Sequence, residues 1–172
     1  RQAHGASRAD GAMSKQGVLP DTSIAALVAS GAITKGEDWR EAQVQPASLD
    51  LTLGQRAWRL RASFLPNGRT VADCLGGDLV LHAIDLSSGA VLETGCVYLI
   101  ELGERFALPH DLSALANPKS STGRIDVFVR LICDGAQCFD AIPQGYCGPL
   151  YAEVFPRTFT VLAHPGEALL QA

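Results

Sequence analysis

The sequence lacks any apolar run long enough to cross a bilayer. Its longest such stretches, 97–100 and 127–133, fall far short of the roughly 20 residues a spanning helix needs. No membrane segment is expected. A basic surplus is missing too: 14 Lys and Arg against 18 Asp and Glu give a formal charge of -4 and a pI near 5.5. That balance argues against the broad cationic surface duplex nucleic acid selects, while leaving room for a small basic pocket around one polyphosphate. There is no CxxC pair among Cys74, Cys96, Cys133, Cys138 and Cys147, and His4, His82, His110 and His164 are scattered. A zinc site is therefore not expected, and each cysteine reads first as a small buried hydrophobe. The N-terminus shows no charged-then-apolar leader, which with the odd cysteine count points to the reducing cytoplasm. No internal repeat or low-complexity tract is present.

What is there suits one globular domain: 172 residues, 47% hydrophobic and 19% charged. Residues 1–12, ahead of Met13, are small and polar without a hydrophobic period and read as an expression scar, leaving 13–172 as a single domain. Ile24, Leu27 and Val28 behind an acidic N-cap, with Gly31 after the last turn, predict a short helix over 21–30. In 48–54 the period changes to two: Leu49, Leu51 and Leu53 alternate with Ser48, Asp50 and Thr52, predicting a strand with one buried face. Further strands are expected at 57–63, 79–86, 96–102, 125–132, 150–155 and 158–163, separated by Gly, Pro and Asn-rich turns. Many short strands and one or two helices imply a mainly antiparallel barrel or sandwich. The chain stops just after a strand start at Glu167, so it reads as a fragment truncated at its C-terminus.

Two segments carry candidate chemistry. Between Asn117 and Arg124, the residues Lys119, Ser120, Ser121, Thr122, Gly123 and Arg124 gather two cations, three hydroxyls and a glycine. Hydroxyls and backbone N–H groups in a turn entering a helix bind phosphate oxygens, and an arginine adds a planar fork. A serine-capped surface turn with two solvated charges is the competing reading. From Ile142 to Glu153 a Gly/Pro turn feeds a strand in which Glu153 sits among apolar neighbours. Desolvation there would fit its carboxyl to exchange protons near neutral pH, unless the side chain faces water.

Four segments in order, QPASLDLTLG (45–54), KSSTGR (119–124), GYCGPLYAE (145–153) and HPGEALLQ (164–171), resemble the bacterial deoxycytidine triphosphate deaminases, relatives of the trimeric dUTPases. The likeness is greatest to the long, internally duplicated form, of which this chain would be little more than the N-terminal half. The resemblance implies a distorted jelly-roll or β-barrel of the dUTPase-like type with a short N-terminal helix. It also implies a homotrimer or pseudo-trimer with active sites between subunits. By position, Lys119, Ser120, Ser121 and Arg124 match the family's loop for the triphosphate and the active-site water, with Thr122 and Gly123 inside that loop. Glu153 matches the catalytic glutamate, Tyr151 and Ala152 the backbone that reads the pyrimidine edge, and Gln171 a glutamine near the triphosphate. Pro143 and Gln144 replace the family's Asp-Pro before the turn glycine Gly145, leaving Asp140 as the nearest upstream carboxylate. The stretch between Arg124 and Gly145 is longer than in short forms.

The function so implied is hydrolytic deamination of dCTP to dUTP and ammonia, by a zinc-free water attack assisted by Glu153 and oriented by Ser120. Magnesium would accompany only the triphosphate. Zinc deaminases pair H-x-E with P-C-x-x-C, and this chain has neither. Alternatives are a dUTPase or a bifunctional enzyme giving dUMP and diphosphate, with Asp140 as the candidate to activate water, or a non-catalytic nucleotide-binding or assembly half of a duplicated protein. The cysteine and histidine spacing makes a first prediction: dialysed protein should hold well under one zinc per chain by elemental analysis. Stoichiometric zinc, with activity lost to chelation and restored by zinc, would defeat the metal-free scheme.

Overall fold

The computed structural model describes residues 17–172; the segment read as an expression scar, 1–12, lies outside them. In chain order the elements are Asp21–Ala29 (α1), Ile33–Thr34 (β1), a 3-10 turn at Glu41–Gln43, Val44–Gln45 (β2), Ser48–Leu60 (β3), Val71–Leu75 (α2), Val80–Asp85 (β4), Ala90–Leu92 (β5), Val97–Ala107 (β6), Ala114–Leu115 (β7), Asn117–Pro118 (β8), Ser120–Arg124 (α3), Val127–Cys133 (β9), Ala141–Ile142 (β10), Cys147–Pro156 (β11), Val161–Ala163 (β12) and Ala168–Gln171 (β13). Helix α1 forms where its period predicts, burying Ile24. Its cap is Pro20, not an acid: the Pro20 carbonyl accepts from Ser23 and Ile24, while Asp21 lies in the first turn, at the positive end of the helix dipole.

The two strands expected at 48–54 and 57–63 are one, β3. They fuse because Gly54 lets β6 approach: a Cβ there would stand 2.8 Å from the Glu101 carbonyl oxygen. The β3–β6 register shifts between Leu53 and Ala57, so the extra residues are absorbed as a bulge instead of ending the strand. The expectation of one buried face is also corrected. Leu49, Leu51 and Leu53 are buried as the period requires, but Asp50 and Thr52 are buried as well. Their side is covered by polar groups: Glu104, fully buried, accepts from the Thr52 N–H (2.8 Å), the Thr52 hydroxyl (2.7 Å) and the Gln43 amide (2.7 Å), and Lys119 pairs with Asp50 Oδ2, while Asp50 Oδ1 is buried with no partner among the described residues.

Other boundaries move for local reasons. Residues 158–160 are not strand, because the Thr158 hydroxyl and the Arg157 N–H are both tied to Asp126 and bend the chain before β12. Asp126 itself, at φ 51, makes the turn that delays β9 to Val127. Helix α2 was not expected; it is a capping box of Thr70 and Asp73, with the Val71 N–H donated to Asp134.

One antiparallel sheet runs β8-β13-β3-β6-β11-β9, with β1 on β6 and with β2 and β4 on β3. Helix α3 joins the last-ordered β9 to the first-ordered β8, so the sheet curls into a nearly closed barrel and a mainly β fold results. The larger core lies on its inner face, around Leu51, Ile100, Leu131, Leu150, Val154 and Leu170, each at most 1% exposed. Each such side chain contributes about 1.5–3 kcal/mol by leaving water. A smaller cluster of Leu60, Val71, Leu99, Ile132 and Tyr151 covers the outer face under the 61–79 excursion.

The close approach at Gly54 makes a test of the bulge. Gly54→Ala should lower stability by about 1–3 kcal/mol, since backbone and not a flexible side chain must give way. A thermal melt followed by circular dichroism should therefore fall by several degrees; an unchanged midpoint would show that β6 can retreat freely.

Candidate active site

Strand β11 is paired along its length, with β6 on one side and β9 on the other, which places Glu153 opposite Leu99 and Arg130. Glu153 is 2% exposed. Its surroundings are not simply apolar: the Arg130 Nε and Nη2 both donate to the same oxygen, Oε1, at 3.1 and 2.5 Å. Among the described residues, Oε2 is buried with no hydrogen-bond partner. The guanidinium is itself held, lying 3.6 Å from the Phe139 ring centroid and 5.0 Å from that of Phe128, and donating to the Ser63 hydroxyl at 2.8 Å. Removing Arg130 leaves the buried carboxylate without its counter-charge, which costs up to about 3–5 kcal/mol.

Asp140 comes back to the same neighbourhood. Its Oδ1 accepts from the Leu131 N–H at 2.7 Å, and its own N–H donates to the Leu131 carbonyl. Burial pushes its carboxyl above the ordinary aspartate range; the Leu131 N–H and Arg130 oppose that, and the charge of Glu153 adds to it. The backbone of Tyr151 and Ala152 is flanked by paired strands on both sides, and the slack nearest to it is the β6 register shift between Pro149 and Tyr151. Ala152 packs into the inner core, while the Tyr151 phenol is pushed up to about 12, chiefly by burial and then by Glu101, and stays neutral.

The 119–124 segment is a single helical turn with its side chains divided. Lys119 turns inward to Asp50, and Thr122 is buried with its hydroxyl on the Leu169 carbonyl, which also accepts the Lys119 N–H. Ser120 and Arg124, four apart on one helical face, are exposed, as are Ser121 and Gly123. Arg124 has no ion-pair partner among the described residues. Gln171 pairs with Asn117 and with Asp50 across β13, at the edge of this loop.

A cavity of about 750 Å³ is lined by Lys119 and Ser121 together with Asp50, Thr52 and Val154. Ser120, Arg124 and Glu153 do not line it. Val154 faces the inner core, so its neighbour Glu153 points to the other side of the sheet. Within one chain the structure thus brings together Glu153, Arg130 and Asp140 on the outer face, and Lys119, Ser121, Thr122 and Gln171 around β13. It does not bring Glu153 to the loop: no hydrogen bond or ion pair joins them among the described residues.

A nearly closed, mainly β barrel of the dUTPase-like type, with a cationic and hydroxyl-bearing turn at its seam and a buried carboxylate in a central strand, is the class these features define. The family model for the 2'-deoxycytidine 5'-triphosphate deaminase N-terminal domain matches residues 15–172. This chain belongs to the dCTP deaminase family. It is 31% identical over 139 residues to a dCTP deaminase of Halorubrum lacusprofundi, covering 80% of this chain and 66% of that protein. A dUMP-forming dCTP deaminase of Halobacterium salinarum is 33% identical over 122 residues, or 65% of this chain and 58% of that one. The crystal structure of the 2'-deoxycytidine 5'-triphosphate deaminase from Agrobacterium tumefaciens shares the fold at a TM-score of 0.86 and 55% identity, covering 90% of this chain and 46% of that one. The chain therefore spans 46–66% of the length of these relatives.

Sequence reasoning passed over Arg130. The signal was available: a single charge in the apolar run Val127–Cys133, matched by a single charge in Leu150–Val154. Only the register reveals that the two face each other.

Asp140 supplies a prediction. Asp140→Asn keeps an acceptor for the Leu131 N–H and should leave the melting midpoint near its original value, whereas Asp140→Ala strands that N–H at a cost of about 1–3 kcal/mol. Because the folded carboxyl titrates above the ordinary value of 3.8, the protonated form's share of stability is present below that value and is lost as pH rises through the folded range. The stability of Asp140→Asn relative to the unmodified protein should therefore grow between acid and neutral pH. A pH-independent difference in melting would contradict the assigned burial.

Proposed function

We propose that the protein acts in hydrolytic deamination of dCTP to dUTP and ammonia, with Glu153 as the proton shuttle. The observation that carries this reading is the state of that carboxylate: buried on a central strand, one oxygen held by Arg130, the other unengaged. As water attacks C4 of the cytosine, its proton passes to Oε2. The same carboxyl then delivers a proton to the departing amine, so that the C4–N bond breaks and ammonia leaves. The turn at 119–124 is the second part of the reading: the exposed Ser120 orients the water, and Arg124, with Ser121, Gly123 and the nearby Lys119 and Gln171, holds the triphosphate.

Since Glu153 and the exposed face of α3 lie apart within one chain, a complete site requires a second barrel. A homotrimer or pseudo-trimer that sets the Ser120–Arg124 face of one barrel against the Glu153 strand of the next supplies it. The residues suit magnesium arriving with the nucleotide. Among the described residues no three His, Cys, Asp or Glu side chains cluster into a cage, and a hard cation that keeps its waters and binds phosphate oxygens asks for none. It would partly neutralise the triphosphate. Among the described residues no helix is long and apolar enough to cross a membrane, and a cytoplasmic nucleotide enzyme is the setting we propose.

A second reading, a bifunctional enzyme that releases dUMP and diphosphate, is favoured by the dUMP-forming relative from Halobacterium salinarum. Product analysis separates the two: chromatography of the nucleotide formed from dCTP shows dUTP in one case and dUMP in the other.

The decisive experiment for the main reading is single-turnover ammonia release by Glu153→Gln in the intact protein. The amide keeps the shape but cannot take a proton. dCTP should still bind while the chemical step slows at least roughly a hundred-fold. A rate within a few-fold of the unmodified protein would end the assignment, and an unmodified protein that binds dCTP but never releases ammonia would favour a non-catalytic nucleotide-binding half.

A further inference from the structure

We propose that Arg130 is a positioning residue for the deamination: it fixes the Glu153 carboxylate in the rotation that leaves Oε2 as the single proton acceptor. The inference rests on the reading of Glu153 as the shuttle and goes beyond it. An arginine meeting a carboxylate can make two parallel bonds, one to each oxygen. Here it does not. Both donors converge on Oε1, at 3.1 and 2.5 Å, while Oε2 is buried without a partner among the described residues. A fully buried acceptor left unsatisfied is a costly arrangement, and such atoms in native proteins call for a functional account.

The guanidinium cannot swing to share itself between the two oxygens, because three further contacts hold its plane. Phe139 lies against it at 3.6 Å, Phe128 flanks it at 5.0 Å, and Ser63 accepts from Nη2 at 2.8 Å. These contacts come from three parts of the chain: β9 itself, the residue before Asp140, and the 61–79 excursion. Arg130 also stands toward solvent, its side chain 24% exposed against 2% for Glu153, so it walls the carboxylate from bulk water on that side. A carboxylate free to rotate would offer its two oxygens interchangeably and lose the alignment that proton transfer demands. A misplacement of about 1 Å can cost on the order of a hundred-fold in rate.

The test compares Arg130→Lys and Arg130→Ala with the unmodified intact protein, reading kcat and KM for dCTP, melting, and rescue by added guanidinium ion. Lysine keeps the charge but loses the fork and the stacking plane. We expect kcat to fall between roughly ten- and a hundred-fold in Arg130→Lys, with KM within about three-fold and melting little changed. In Arg130→Ala, guanidinium below denaturing concentrations should restore several-fold of the lost kcat, and sodium at equal ionic strength should not. If the alanine variant does not fold, the lysine variant decides alone.

Full kcat in Arg130→Lys beside an inactive Glu153→Gln would overturn the positioning role and leave the shuttle standing. A raised kcat would mean the pair is a lock, and would overturn the role as well. Full activity in Glu153→Gln would instead sink the shuttle itself, so the two failures are told apart.

Discussion

The pairing of β11 with strands on both flanks is the constraint from which the rest of the arrangement follows. A strand so enclosed can carry a charged side chain only if a counter-charge arrives from a neighbour in fixed register, because burying a lone carboxylate costs far more than the fold can offset. The β9 register supplies Arg130 opposite Glu153. Everything that holds Arg130 then becomes part of the carboxylate's environment: the two phenylalanine rings, Ser63, and through Ser63 the long excursion that covers the outer face. The barrel thus builds one polar centre on the outside of its sheet and keeps its larger apolar core on the inside.

A second polar centre, along β3 at the seam of the barrel, obeys the same rule with different partners. Asp50 and Thr52 alternate with core leucines on β3: Lys119 brings a counter-charge to Asp50, and Glu104, itself held by Gln43, accepts from Thr52. The seam of the barrel runs through this centre, where α3 passes from β8 to β9. The same turn that closes the sheet therefore presents Ser120 and Arg124 outward, so closure of the fold and presentation of the loop are one event. The two polar centres thus lie on different strands of one barrel, one built on β9 and β11 and the other at the β3 seam.

Much of this was legible from residue order, and the parts that were not share a cause. The helix at α1, the leucine face of β3 and the turn entering a helix at 119–124 follow from local periodicity and local chemistry, and the four ordered motifs identify the family. Local pattern says which side chains share a face, but not what covers that face. Asp50 and Thr52 read as solvent-facing because their partners are distant in sequence, with Glu104 more than fifty residues away. Arg130 escaped notice for the same reason: its meaning lies in a register 23 residues apart. The fusion of two strands at Gly54 depends on how near β6 comes, which no alternation of types in β3 itself reports.

The carbonyl of Leu169 accepts from both the Lys119 N–H and the Thr122 hydroxyl, 2.9 and 3.2 Å away. A single atom of the last strand is thereby a datum point for the whole turn. Shifting β13 along its length would carry the turn with it like a key on a shaft, whereas sequence changes within 119–124 that spare those two donors leave the datum untouched. Length changes between Ala163 and Ala168 are for that reason the ones most apt to retune where Ser120 and Arg124 stand.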